Sequence, residues 1–248
     1  MFRRIIAHRG HKVGAPEQTL AAFRLAADLG ATMLEADLRF TRDGVPVLLH
    51  DCLLDRTTSG TGPVSAMNWA DVARLDAGSW FDRRFAGERV PRLDDLFDLA
   101  ETLDVALCIE AKGEGEENAR TALLAAREIE RRSRLNQDVV ASFEHEALSA
   151  AVDLVPGLRT APDRLPERGP STSAELIAQA RRARARIIQH HFADLDASVV
   201  AEVQAAGIEV WAWPMANEEE ARFAFDSGAI GLMGDDVAAI AVVLAAGD

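Results

Sequence analysis

The stretch "MLEADLRFTRDGVPVLLHD" (Met33–Asp51) decides the fold. Glu35 and Asp37 alternate with Leu34, Ala36 and Leu38, a period of two that marks a strand and puts both carboxylates on one face. A second apolar run, Val45–His50, follows after only "TRDG", far too short a link for a parallel crossover. Asp43-Gly44 is a hairpin-type dipeptide, so Val45–His50 is expected to fold back antiparallel on Met33–Phe40. That turn sets His50 opposite Glu35, and direct neighbours across an antiparallel pair share a face. A slip of one residue would send His50 to the other face.

Outward from this hairpin, short apolar runs alternate with longer segments of helical period. Strands are expected at Arg4–His8, Met33–Arg39, Val45–His50, Ala106–Lys112, Asp138–Phe143, Leu158–Ala161, Arg186–His190, Ile208–Trp213 and Ile230–Gly234. Helices are expected at Thr19–Leu29, Leu93–Leu103, Glu116–Arg132, His145–Leu154, Ser173–Arg182, Ala197–Ala205, Glu218–Asp226 and Val237–Leu244. Gly30, Gly207 and Gly228 fall just past helices, where a left-handed cap favours glycine. The alternation points to a parallel sheet with helical crossovers. Nine strands are one too many for an eight-stranded barrel, and the hairpin's return strand is the surplus. The expected fold is an α/β, (β/α)8 TIM barrel, one domain over residues 1–248, which suits a chain of this length. Residues 51–90 break the rhythm, rich in Gly, Ser, Thr and aromatics, with one short helix near Ala70–Leu75. So long an irregular stretch reads as a small inserted lobe after the second histidine, overhanging whatever His50 belongs to.

Bulk properties narrow the partners. A hydrophobic content of 48% suffices for a large core, and the apolar stretches are too short and too interrupted for a membrane span. The net charge of −13 argues against nucleic acid, which needs a basic footprint. The one basic run, "RRARAR" (Arg181–Arg186), reads as the solvated end of a helix entering a strand. Charges at His8, Arg9 and Lys12 interrupt any apolar signal segment, and Cys52 and Cys108 match no zinc or redox spacing. A cytoplasmic chain with reduced thiols is the expectation.

In a parallel barrel both sheet faces are buried, so Glu35 and Asp37 side by side would repel without a cation. On an open antiparallel sheet the same pair would be a solvated face. "ALCIEAKG" repeats the pattern with Glu110 and Lys112 two apart at another strand end. Three carboxylates make an oxygen cluster suited to Mg²⁺ or Ca²⁺, with the lysine spare for an anionic substrate. By themselves Glu110 and Lys112 would form a mutual salt bridge; beside the other pair they are expected not to. "RIIAHRG" ends on His8-Arg9, and the chain has only six histidines. Two strand-end histidines beside carboxylates and an arginine, at the C-terminal mouth where barrels carry their active sites, indicate an acid and a base.

Together, "HRG" from His8, "PEQTLAAF" from Pro16, "LEADLRFTRDGVPVLLHD" from Leu34, "RTTSGTG" from Arg56, "IEAK" from Ile109 and "SFEHEAL" from Ser142 resemble the glycerophosphodiester phosphodiesterase family. The resemblance extends over essentially the whole chain. It implies a TIM barrel that hydrolyses glycerophosphodiesters, small molecules, to glycerol 3-phosphate and an alcohol with a divalent cation. By motif, it makes His8 and His50 the acid/base pair, Glu35, Asp37 and Glu110 the metal ligands, and Arg9 and Lys112 the phosphate-binding groups. Glu17 would lie at or just behind the centre. Phe143 and Trp213 would line the substrate side, or serve only as packing. One imidazole deprotonates the nucleophile and the other protonates the leaving alkoxide, whether water or the neighbouring glycerol hydroxyl attacks.

The chain departs from the family at Gln18, where asparagine is common, at Pro214–Asn217 after Trp213, and at Ile230–Asp236, where Ile230 replaces an aspartate and Asp236 a proline. These changes bear on the pocket near the last strands and hence on the head group. Two other readings stand beside the first. A lysophospholipase D-like enzyme would show an apolar groove around Trp69, Trp80, Phe81 and Phe85. A non-catalytic phosphodiester-binding barrel would be expected to have lost the histidines and carboxylates.

Overall fold

The computed structural model describes residues 3–247. In chain order its elements begin with β1 (Arg4–His8), α1 (Leu20–Asp28), β2 (Met33–Phe40), β3 (Pro46–Leu48), α2 (Trp69–Val72) and α3 (Leu93–Leu103). They continue with β4 (Ala106–Ala111), α4 (Glu116–Arg131), β5 (Val139–Ser142), α5 (His145–Leu154), β6 (Arg159–Pro162) and α6 (Ser173–Arg182). The last are β7 (Ile187–His191), α7 (Ala197–Ala205), β8 (Glu209–Met215), α8 (Glu218–Asp226), β9 (Gly231–Gly234) and α9 (Val237–Gly247). Among the described residues, no helix is long and apolar enough to cross a membrane.

Eight strands run parallel in the order β6-β5-β4-β2-β1-β9-β8-β7, and β3 pairs with β2 off that path. A parallel bridge between Asp163 and Gln189, with the Arg164 N–H donating to Gln189 O at 2.8 Å, joins the two ends of that path. The (β/α)8 barrel expected from the alternation is therefore the fold. Helix boundaries follow local chemistry. Thr19 accepts from Ala22 N to start α1, Thr172 and Glu175 form a reciprocal cap on α6, and Asn217 caps α8. Gly30, Gly207 and Gly228 all take positive φ just past helices.

The barrel interior is layered by the two-residue period. Ile6, Met33, Cys108, Val139, Ile187 and Trp211 form an apolar floor. Gly231 makes room for the Trp211 ring, since a Cβ there would lie 2.5 Å from Trp211 Cγ. Two residues further along, four of these strands carry polar side chains that line the cavity above: His8, Glu35, Glu110 and Gln189. The outer faces of the strands pack on the helices through a separate, larger apolar cluster.

The β2–β3 hairpin forms as expected, but its register differs by one. Leu38 faces Leu48 and Arg39 faces Val47, an alignment that would bring His50 to Ala36 instead of Glu35. The cause is the turn. Thr41 N–H donates to Val45 O at 3.0 Å and the Thr41 hydroxyl donates to Asp43 at 2.7 Å, so the loop holds an odd number of residues. The strand also ends at Leu48, shorter than expected, and the last rung is Leu49 N–H to Asp37 O at 3.0 Å. Residues 51–90 carry short helical turns and share an apolar cluster with β3 that includes Val47, Leu49, Leu54, Val72 and Val90.

Candidate active site

Every strand-end motif read from the sequence arrives at one mouth of the barrel. Parallel pairing sets His8 beside Glu35 and Asp37 beside Glu110. Glu35 and Asp37 are fully buried, and oxygens of Glu35, Asp37 and Glu110 lie within 4.8 Å of one another. A cavity of about 270 Å³ opens here, lined by Glu35 and Glu110 together with His8, His50, Arg9 and Lys112. Phe143 and Trp213 form its far wall, packed edge to face with ring centres 5.8 Å apart, so they line the cavity and pack on each other.

His50 reaches the cavity although it does not pair with Glu35. Past Leu49 the chain leaves the ladder, and the Arg39 guanidinium grips His50 O with two bonds of 2.9 and 2.7 Å. Strand alternation no longer dictates its direction there, which is why a shifted register still delivers it to the site.

The "HRG" turn positions Arg9. Arg9 and Gly10 both take positive φ, and a Cβ on Gly10 would lie 2.6 Å from the Ala22 Cβ in α1. The turn lets Arg9 N–H donate to Glu35 at 2.9 Å while its guanidinium pairs with Asp37 at 3.0 Å. Glu17 stands behind this layer. It binds Arg56 through two bonds of 2.8 and 2.9 Å and Arg9 at 3.3 Å, outside the three-carboxylate cluster. Gln18, where the family has asparagine, donates to Asp37 at 2.7 Å.

Lys112 departs from expectation. It pairs with Glu110 at 2.6 Å and with Asp37 at 3.0 Å. The salt bridge to Glu110 therefore persists inside the cluster, because the lysine is the cation within reach of both buried Asp37 and partly buried Glu110. Burial opposes ionisation of Asp37, yet Lys112 and Arg9 hold it well below the usual carboxylate range. Burial pushes Glu110 up to about 7 despite Lys112, and it drives Glu35 well above its ordinary value, helped by Asp37 and Glu110. Three carboxylates thus share two cations, and Glu35 Oε1 has no hydrogen-bond partner among the described residues. An all-oxygen set with a charge deficit and an orphaned buried oxygen fits a hard divalent cation.

The two histidines are held alike but in different surroundings. His8 Nδ1 bonds Asp235 at 2.7 Å, and burial pulls the ring down to about 4 against that carboxylate's opposing effect. His50 Nδ1 bonds Asp51 at 2.7 Å and sits nearer solvent; burial lowers it too, while Asp37 works the other way. Asp51 in turn pairs with Arg56 at 2.6 Å. Asp235, Arg56, Asp163 and Gln189 escaped the sequence reading. Asp163, just past β6, and Gln189, within β7, carried a usable signal, an inward-phase polar residue in or beside a barrel strand, and both line the cavity. The aromatic groove expected for a lipid substrate is not assembled from the four residues read for it. Trp69 lines a separate cavity with Leu20 and Val90, while Trp80, Phe81 and Phe85 stack edge to face on one another. Cys52 and Cys108 are both free.

Fold and mouth define an α/β barrel that gathers two histidines and a candidate metal-binding cluster of three carboxylates at the C-terminal ends of its strands. Known proteins of this build are readily found. The sequence model of the Glycerophosphoryl diester phosphodiesterase family matches residues 8–239, and the chain belongs to that family. A glycerophosphodiester phosphodiesterase of Caldanaerobacter subterraneus subsp. tengcongensis is 30% identical over 240 residues, 94% of this chain and 93% of that protein. The crystal structure of the Agrobacterium tumefaciens glycerophosphodiester phosphodiesterase superposes with a TM-score of 0.83 at 28% identity, covering 98% of this chain and all of that one (100%). An Oleispira antarctica phosphodiesterase, solved with its product sn-glycerol-3-phosphate, gives 0.89 at 26% identity, covering 98% and 97% of the two chains.

Proposed function

We propose that this chain hydrolyses glycerophosphodiesters to glycerol 3-phosphate and an alcohol, with His8 and His50 as its acid/base pair. The observation that carries the reading is the convergence of two histidines, an arginine and a lysine on one cavity beside a cluster of three carboxylates, in a chain of this family. The product held by the Oleispira relative agrees with it. Glu35, Asp37 and Glu110 would hold a Mg²⁺ or Ca²⁺ ion, which when bound neutralises charge on the phosphoryl oxygens. Arg9 and Lys112, both anchored on Asp37, orient the anionic diester and stabilise the charge that builds on it in the transition state. One imidazole in its neutral form takes the nucleophile's proton, while the other, entering the step protonated, gives its proton to the leaving oxygen. Phe143 and Trp213 close the far side against water. Residues 51–90 act as a lobe beside this mouth, tied to it through Arg56.

Purified protein with Mg²⁺ or Ca²⁺ should release glycerol 3-phosphate from glycerophosphocholine, and a chelator should abolish the release. His8→Ala and His50→Ala should each remove turnover. A panel that includes lysophospholipids separates the two enzyme readings, and unchanged turnover in either histidine variant would defeat the acid/base assignment.

A further inference from the structure

Asp235 lies outside the motifs that point to the active centre, yet its carboxylate is bound to a histidine of the mouth. Its Oδ1 meets His8 Nδ1 at 2.7 Å and Lys12 Nζ at 2.9 Å, with the His8 side chain 10% exposed. The backbone is shaped to deliver it. β9 ends at Gly234, where a Cβ would stand 2.5 Å from Met215 O. With no side chain there, the ends of β8 and β9 close, and Asp235 N–H donates to Met215 O at 2.7 Å. The next residue, Asp236, accepts from Ala239 N at 3.1 Å and begins α9. Asp235 is thus clamped between a strand end and a helix start. A simple surface ion pair with Lys12 would need none of this.

We propose that Asp235 is the positioning residue for His8: it fixes the ring proton on Nδ1 and leaves Nε2 as the nitrogen that works in the cavity. An ionised carboxylate only accepts hydrogen bonds, so the proton between the two groups belongs to the imidazole. The other nitrogen then carries the lone pair, in a ring that cannot rotate without giving up a partly buried, charge-assisted bond. His50 has a carboxylate at the same nitrogen, but Asp51 is its chain neighbour and that pair is about one-third exposed, at 33% and 30%. Screening by water makes the His50 couple the weaker constraint. The inference rests on the acid/base reading of His8, and its test separates the two.

The test compares wild type, Asp235→Asn, Asp235→Ala and, as a control, Asp236→Asn. In metal-free protein with ¹⁵N-labelled histidine, long-range ¹H–¹⁵N spectra, assigned with His8→Ala, report the tautomer directly. Wild type should show His8 protonated on Nδ1, and Asp235→Ala should lose that preference. With glycerophosphocholine and Mg²⁺, Asp235→Asn and Asp235→Ala should lower kcat by about 10- to 100-fold with KM within about twofold. Asp236→Asn should keep wild-type kcat. His8 protonated on Nε2 in wild type, an unchanged tautomer in Asp235→Ala, or kcat within twofold of wild type in Asp235→Asn would each overturn the proposal. Absence of turnover in wild type would defeat the proposed function alone, since the spectra still decide the positioning role.

Discussion

The turn that presents Arg9 can be tested by adding one methyl group. Gly10 combines φ of +86° with a backbone so close to α1 that a Cβ would lie 2.6 Å from Ala22 Cβ and 2.8 Å from its carbonyl carbon. Gly30 has φ of +95° but nothing within 4 Å of a Cβ. Gly30→Ala therefore measures conformational strain by itself, roughly 1–2 kcal/mol for an L-residue forced to positive φ. Gly10→Ala adds overpacking against a helix backbone, typically about 1–3 kcal/mol more. For a chain of this size each kcal/mol moves Tm by roughly 2–4 °C, so Gly30→Ala should lower it by about 5 °C and Gly10→Ala by about 10 °C. Calorimetry gives both shifts, and glycerophosphocholine turnover gives the second readout. Gly30→Ala should stay active, whereas Gly10→Ala should lose activity even well below its Tm, because the turn carries Arg9 and its bond to Glu35. Equal Tm losses in the two variants would refute the clash argument. Full activity in Gly10→Ala would refute the link between the turn and Arg9.

Two further outcomes concern stability. Arg134 is sealed between Asp138, at 2.6 and 3.0 Å, and Val105 O at 2.7 Å, so Arg134→Met strands a buried carboxylate and should cost about 3–5 kcal/mol in urea unfolding while catalysis survives in the folded fraction; a loss under 1 kcal/mol contradicts it. Arg56 holds Asp51 down to about 2 and keeps Glu17 below its usual value against burial. Depressed carboxylates contribute stability that is complete above their unfolded values, near 4, and is lost as pH falls through the folded ones. The stability gap between wild type and Arg56→Met should therefore be largest near neutral pH and narrow between about pH 4 and 2, as read by urea titrations across that range. A gap independent of pH would mean that Arg56 acts through packing.

Much of this molecule is written in local periodicity. The alternation in Met33–Phe40 determines that Glu35 and Asp37 share a face, and the short link after Phe40 determines that the next strand returns. With that strand set aside, the remaining pattern specifies the barrel, and the barrel brings strand-end residues to one mouth. Strand alternation and helix spacing depend on neighbours a few residues away, so a sequence states them openly. Tertiary structure decided the rest. Whether the hairpin loop held an even or odd number of residues depended on the Thr41 hydroxyl finding Asp43, and that choice shifted the register by one. Lys112 stayed on Glu110 because buried charges pair with whatever cation is in reach, and Asp37 sits on the adjacent strand. Asp235 reaches His8 across 227 residues of chain, brought there when β9 closes on β1. Periodicity names the face a side chain takes, but its partner is decided only when the sheet closes and distant carboxylates and cations must neutralise one another out of water.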